Sequence, residues 1–325
     1  MPSSRPNLNF KTFASLGVNV FITSSNCSFN IVYAAASCGA GESSSGIKAL
    51  DAITLGWQKS DLILIVGVPA MGNTSLMVSM LNNIAIKQGI PTAVCSLQNS
   101  IKALMTRLCI NARDLSRGKI VSPLDILTST LGEYSEWLRQ SIQEEIDKMD
   151  IDLETFYLAN FVIDDTPGLS VFEIEDRVRS YVKENGIEIV FVDNIELIHY
   201  SPDYSYDREK ENAEIMRHLK QLASELNIVI VVFSGLKEKT VSQVKKDGYR
   251  PRLNQLCHFT EEALDVVDVI CMLHRPEYYG QYTDEYGKNL KGLGQIFVEK
   301  NHNNAVGNAW VQFKRKHLRF EDITD

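Results

Sequence analysis

The sequence contains no run of 18 or more consecutive apolar residues, so it lacks the stretch that a membrane-spanning helix requires. Its six cysteines (Cys27, Cys38, Cys95, Cys109, Cys257 and Cys271) never form a C-x-x-C pair. That scatter argues against a zinc module and against a disulfide scaffold, and it suits a reducing, cytoplasmic setting. Glycine and proline are scarce, at 19 and 9 of 325 residues, which excludes a collagen-like or low-complexity chain. An apolar content of 44% against 23% charged residues excludes general disorder. The formal charge of -8 argues against a chain that coats nucleic acid by bulk charge, while leaving room for a local basic loop.

The first 45 residues also lack something. They hold ten serines and two basic residues, Arg5 and Lys11, and no acid before Glu42. Two basic residues are few for a transit peptide. This segment is expected to be a poorly ordered arm or a domain remnant, with residues 46–325 forming one domain.

From residue 46 onward, apolar runs of strand length recur at Leu62–Val66, Thr92–Cys95, Ile187–Val192, Ile228–Phe233, Val269–Leu273 and Gln295–Val298. Helical stretches such as Thr74–Gln88, Val171–Glu184 and Glu209–Leu226 lie between several of them. Buried β-rich runs alternating with amphipathic helices predict an α/β domain with a mostly parallel central sheet and helices on both faces. Asp203–Arg208 reads as a flexible loop, and Lys314–His317 as an exposed hairpin near the last strand.

The run from Asp61 to Ser75 reads as strand, glycine-bounded loop and helix start. Gly67 and Gly72 have the spacing of the G-x-x-x-x-G-K-[ST] phosphate loop. Such a loop needs glycines because backbone N–H groups must curl around an anion lying at a helix N-terminus. Thr74 stands where a hydroxyl would hold Mg²⁺, but Asn73 stands where the lysine would be. Alone, the run serves equally well as a structural strand–turn–helix.

Further motifs extend the pattern. They are Ser96-Leu97-Gln98 after the second strand, Asp164-Asp165-Thr166-Pro167-Gly168-Leu169-Ser170 before a helix, and Val192-Asp193-Asn194-Ile195-Glu196 at a strand end. Leu219-Lys220-Gln221-Leu222-Ala223, Ser234-Gly235-Leu236, His274-Arg275-Pro276-Glu277-Tyr278-Tyr279 and Glu299-Lys300-Asn301-His302 follow in order. Over about residues 45–323 this set resembles the RecA-like, P-loop NTPase motor domain of the DnaB-type replicative DNA helicases.

The resemblance implies ATP and Mg²⁺ as cofactors, with Gly67, Gly72, Asn73, Thr74 and Lys300 at nucleotide-binding positions and Thr74 and Asp193 at the metal. It places Gln98, Asp193 and His302 at catalytic positions. Gln98 replaces the family's water-activating glutamate, and an amide can orient water but cannot accept its proton. His302 replaces an arginine finger whose fork of donors a neutral imidazole cannot supply. Ser234-Gly235-Leu236 lacks the amide of the family's γ-phosphate sensor. An arginine finger alone is worth about 10³–10⁵ in rate, so a degenerate motor, a pseudo-ATPase, is expected. The alternative is a weakly active, DNA-stimulated ATPase and 5′-to-3′ helicase.

Leu236–Arg252 carries six basic and two acidic residues. The resemblance implies a loop here, after the run ending at Phe233, that faces single-stranded DNA, so Lys237, Lys239, Lys245, Lys246, Arg250 and Arg252 are expected contacts to it, with a merely solvated surface as the other reading. The resemblance implies further partners: replication proteins, an active helicase relative, or other copies in a homo-oligomeric ring.

Overall fold

The computed structural model describes residues 42–112, 160–200, 207–236, 251–256, 258–302 and 305–323, and the statements below concern those residues. Nine strands form one sheet: β1 (Leu62–Gly67), β2 (Thr92–Ser96), β3 (Phe161–Asp164), β4 (Ile189–Asp193), β5 (Val229–Gly235), β6 (Val269–His274), β7 (Leu293–Asn301), β8 (Gly307–Lys314) and β9 (Arg319–Asp322). Their spatial order is β9-β8-β7-β6-β1-β5-β4-β2-β3. The six strands from β6 to β3 run parallel, and β7, β8 and β9 add an antiparallel margin.

Every residue of β1, β2, β4 and β6 is buried, which is why these strands read as unbroken apolar runs. Trp57, Phe191 and Phe233 fill the middle, with ring centroids 6.3 and 6.1 Å apart along that series. The margin reads differently. β8 alternates, with Ala309, Val311 and Phe313 buried and their neighbours partly exposed, as a half-covered antiparallel strand should. β7 is longer than the expected Gln295–Val298 because Leu293 and Gly294 pair with β8 at one end and Lys300 and Asn301 with β6 at the other. Lys314–His317 opens the turn between β8 and β9, with Lys314 paired to Arg319, so the expected hairpin is present.

Six helices accompany the sheet: α1 (Lys48–Thr54), α2 (Asn73–Leu81), α3 (Ile101–Ala112), α4 (Val171–Asn185), α5 (Arg208–Leu226) and α6 (Glu261–Asp265). The expected helix over Thr74–Gln88 is α2 continued by a π-helical turn at Asn82–Lys87. Asp322 of β9 accepts hydrogen bonds from Lys48 N and Ala49 N at 3.1 and 2.9 Å, capping α1 from the far end of the chain. Arg208 does not belong to a loop, contrary to the sequence reading. It opens α5 and donates to Ile195 O, Ile198 O and Glu211 Oε2. The rest of the expected loop, residues 203–206, lies outside the described residues.

The Asp164–Ser170 segment folds as a chain of caps. Asp164, at the end of β3, accepts from Thr166 N, Thr166 Oγ1, Arg177 Nη1 and Tyr181 OH at 3.0, 2.6, 2.6 and 2.6 Å. Asp165 Oδ2 accepts from Ile101 N at 2.8 Å, at the start of α3. Ser170 caps α4 reciprocally with Glu173. Lys220 works at the opposite edge, donating to Asp268 Oδ2 at 2.6 Å and Ser60 O at 2.9 Å, while Asp268 also receives Leu62 N.

Burial alone would raise the Asp164 carboxyl. The Thr166 and Tyr181 hydroxyls, with Thr166 N and Arg177, outweigh it and hold the pKa at about 2. Because this value lies below that of the unfolded chain, the stabilisation is complete above pH ~4 and lost as pH falls toward ~2. Asp164→Asn is expected to cost about 1–3 kcal/mol at neutral pH and to flatten the acid limb of stability between those values. Urea unfolding followed at several pH values reads both effects.

Candidate functional site

Parallel pairing aligns four strand ends. Gly67 of β1 faces Gly235 of β5, Asp193 of β4 faces Phe233, and Ser96 of β2 faces Asp193. Ligand clefts of open parallel sheets form at this carboxyl edge, because the loops leaving the strands diverge there. A cavity of about 340 Å³ opens at this edge, and its walls include Val68–Ala70, Gly72–Ser75, Gln98, Arg107, Asp193, Asn194, Ser234 and Gly235.

The loop between β1 and α2 gets its shape from backbone conformation. Ala70 has φ +65° and Gly72 φ +113°, and Gly72 N-caps α2 without any side-chain cap bond. A side chain at 72 would be strained, and its Cβ would lie 3.2 Å from the Phe320 ring. The first N–H groups of α2 are thus left facing the cavity mouth, as an anion cradle needs. Arg275 braces the loop from behind: its Nη1 donates to Met71 O at 3.2 Å, and its guanidinium lies 3.8 Å from the Phe313 ring centroid.

Asn73 closes part of the cradle. Its Nδ2 donates to Ser234 O at 2.8 Å, and its Oδ1 is buried with no hydrogen-bond partner. A Cβ placed on Gly67 would fall 2.2 Å from that Oδ1, so the amide rests on the glycine backbone. Thr74 Oγ1 donates to Asp193 Oδ2 at 3.1 Å. Burial pushes the Asp193 carboxyl above its ordinary range, while Thr74, the charge of Arg107 and Asn99 pull it back. A hydroxyl and a carboxylate side by side fit a hard, oxygen-seeking cation such as Mg²⁺, with water and phosphate oxygens completing its shell. Gln98 is exposed, and its Oε1 accepts from Asn194 Nδ2 at 3.3 Å.

Behind Ser234 lies a network that sequence reasoning missed. Ser234 Oγ donates to Glu196 Oε1 at 2.5 Å and lies 2.8 Å from His258 Nε2, while Gly235 N donates to the same Glu196 oxygen at 2.9 Å. Burial pushes the Glu196 carboxyl up, and the Ser234 bond opposes it. Ser234 is 1% exposed, and its bond to Glu196 tethers strand β5.

The expected site residues divide by position. Gly72, Asn73, Thr74, Gln98 and Asp193 line the cavity, and Gly67 lies against the Asn73 amide. Lys300 and His302 do not join it. Lys300 Nζ donates to Leu264 O and Asp265 O at 2.9 and 3.0 Å, behind α6, and His302 N donates to Asp268 O at 2.9 Å. Asn301 is level with Val269 and Ile63, four residues or about 13 Å along the sheet from Gly67. Of the expected DNA contacts, Lys237, Lys239, Lys245, Lys246 and Arg250 lie outside the described residues. Arg252 is exposed, and its N–H donates to Gln255 Oε1. Arg107, which the sequence did not single out, lines the cavity beside Asp193.

A sequence profile described as DnaB-like helicase C terminal domain matches residues 43–322. The chain belongs to this family. It is 30% identical over 280 residues to a probable replicative DNA helicase of Trieres chinensis, covering 86% of this chain and 57% of that protein. It is 29% identical over 285 residues to the replicative DNA helicase DnaB of Geobacillus stearothermophilus, covering 86% and 56%. The chain thus spans little more than half the length of these DnaB-like relatives. A DnaB-like replicative helicase, solved to show its interactions with primase, shares the fold with a TM-score of 0.70 at 23% identity, covering 86% of this chain and 61% of that one. A separately solved ATPase domain gives a TM-score of 0.69 at 23% identity over 88% and 94%. The nine-stranded sheet is therefore the RecA-type core of the DnaB-like fold.

The contact between Gly67 and Asn73 can be measured. Gly67→Ala is expected to push the Asn73 amide off Ser234 O and cost about 1 kcal/mol, the worth of one hydrogen bond. In an Asn73→Ala background most of that cost should vanish, and a double-mutant cycle by chemical denaturation reads the coupling.

Proposed function

We propose that this DnaB-like protein binds Mg-ATP without turning it over and acts as a pseudo-ATPase within a DNA replication assembly. The observation that carries this reading is the Asn73 amide, fastened to Ser234 O in the place where the family resemblance expects a charged lysine. The position expected to hold the water-activating carboxylate is Gln98, itself engaged with Asn194. With neither a lysine charge on the phosphates nor a proton acceptor for water, both contributions to the chemical step are missing. Single-stranded DNA is the proposed nucleic-acid ligand, contacted through the basic run from Lys237 to Arg252. Replication proteins, further copies in a ring, or an active helicase relative are the proposed protein partners.

The Thr74–Asp193 pair supports a second reading, slow DNA-stimulated hydrolysis with 5′-to-3′ unwinding, since a metal-binding pair is still in place. One experiment separates the two. Phosphate release at saturating Mg-ATP with single-stranded DNA should match a protein-free control, while calorimetry detects Mg-ATP binding. DNA-stimulated release that Asp193→Ala abolishes would establish the second reading in place of the first. Asn73→Lys should tighten Mg-ATP binding at least tenfold, because the lysine adds one full charge beside the phosphates, and adding Gln98→Glu to it should give back part of that gain.

A further inference from the structure

We infer that Arg107 is the cation that holds phosphate in this pocket, in place of the side chain at position 73. The inference rests on the nucleotide-binding reading above and names the residue that makes such binding feasible. The charge inventory of the cavity comes first. Among the described residues that line it, Arg107 and Asp193 are the only ionised side chains, one positive and one negative. A nucleotide brings several negative charges to a wall that already carries a carboxylate. The α2 N-terminus offers about half a positive charge, and a bound Mg²⁺ would be shared with Asp193. The remaining positive charge comes from Arg107, whose field already reaches Asp193.

Position 73 cannot take this role as it stands. Its amide donates one hydrogen to Ser234 O, and the atom turned toward Gly67 is a buried acceptor without a donor. A phosphate oxygen is also an acceptor, so residue 73 can offer it only neutral N–H groups and no charge. A guanidinium offers five donors in a planar fork that matches two phosphate oxygens at once, and it stays charged at every accessible pH.

The helix carrying Arg107 is built to hold it still. Asp165 receives Ile101 N at the start of α3, and Arg319 Nη1 donates to Asn111 O at 2.8 Å near its end. Leu104 and Leu108 are buried at 1% and 0% exposure, and Asn111 Nδ2 donates to Ser79 Oγ of α2 at 2.9 Å. The helix that presents the arginine is thus bonded to the helix that forms the phosphate cradle.

The test is calorimetric binding of Mg-ATP to the full chain and to three variants: Arg107→Ala, Arg107→Lys and Asn73→Lys/Arg107→Ala. Circular dichroism checks that each variant is folded. Arg107→Ala should weaken binding at least tenfold and flatten its dependence on salt, since an ion pair with phosphate has been removed. Arg107→Lys should recover most of the affinity, and Asn73→Lys/Arg107→Ala should recover it by supplying the charge from the other wall. A merely structural role for Arg107 would leave the salt dependence unchanged and would not be rescued from position 73. Binding by Arg107→Ala within twofold of the unmodified chain overturns this inference and leaves the nucleotide-binding reading standing. Absence of binding by the unmodified chain overturns that reading and this inference with it.

Discussion

The parallel ladder that joins β1 to β5 and β6, and β4 to β2 and β5, ends its strands along one edge of the sheet. Everything at the candidate site hangs from that edge. Gly67, Asp193, Ser234 and Ser96 are the terminal or near-terminal residues of four neighbouring strands, and their spacing is set by backbone hydrogen bonds and not by side-chain choice. Because those strands are buried on both faces, a shift of register would carry apolar side chains out of a packed core. The edge is therefore rigid, while the residues just beyond it can change with little cost to the fold. Under the proposed reading, this is the physical reason the loop scaffold tolerates an asparagine at position 73.

The same constraint explains the supporting polar groups. Asp164 and Asp165 leave β3 at this edge and turn in different directions, one to gather Thr166, Arg177 and Tyr181, the other to start α3. Glu196 leaves β4 and turns under β5 to receive Ser234 and Gly235. Each carboxylate takes a set of donors that would otherwise be stranded where the sheet stops, which is costly in a low-dielectric interior. The opposite edge uses the same device with Asp268, which receives Leu62 N and Lys220. The sheet is thus closed off by acids at both ends.

The parallel core was legible in the sequence because strands buried on both faces leave unbroken apolar runs, and Leu62–Val66 and Val269–Leu273 stand within a residue of their observed limits. The loop was legible from the spacing of Gly67 and Gly72: Gly72 takes a positive φ, and Gly67 leaves room for the Asn73 amide. β3 was not, since Phe161–Ile163 are partly exposed at the sheet margin and give no strong run. β8 carried a signal that could have been used: Ala309, Val311 and Phe313 alternate with polar or partly exposed neighbours. Arg107 carried none. It sits nine residues past Gln98 on a helix, and only the folding of α3 onto α2 brings it to the cavity. Glu196 and His258 meet across Ser234 for the same reason, as contacts between elements far apart in the chain.

The division of the expected catalytic residues between two edges bears on the proposed pseudo-ATPase. Residues 73, 74, 98 and 193 line the pocket, whereas Lys300 and His302 sit about 13 Å away along the sheet, at the end of a strand that runs the other way. One chain therefore cannot bring all of them to one nucleotide. Under the proposed reading the substitutions fall into two independent groups. Asn73 and Gln98 alter this chain's own pocket, and His302 alters only what the chain could offer to a neighbour. Repairing the first group would restore affinity in an isolated chain, whereas repairing position 302 would show no effect until a second copy was docked. The retained Lys300 is already committed to the carbonyls ending α6, so any role toward a neighbour would first have to release it from Leu264 and Asp265.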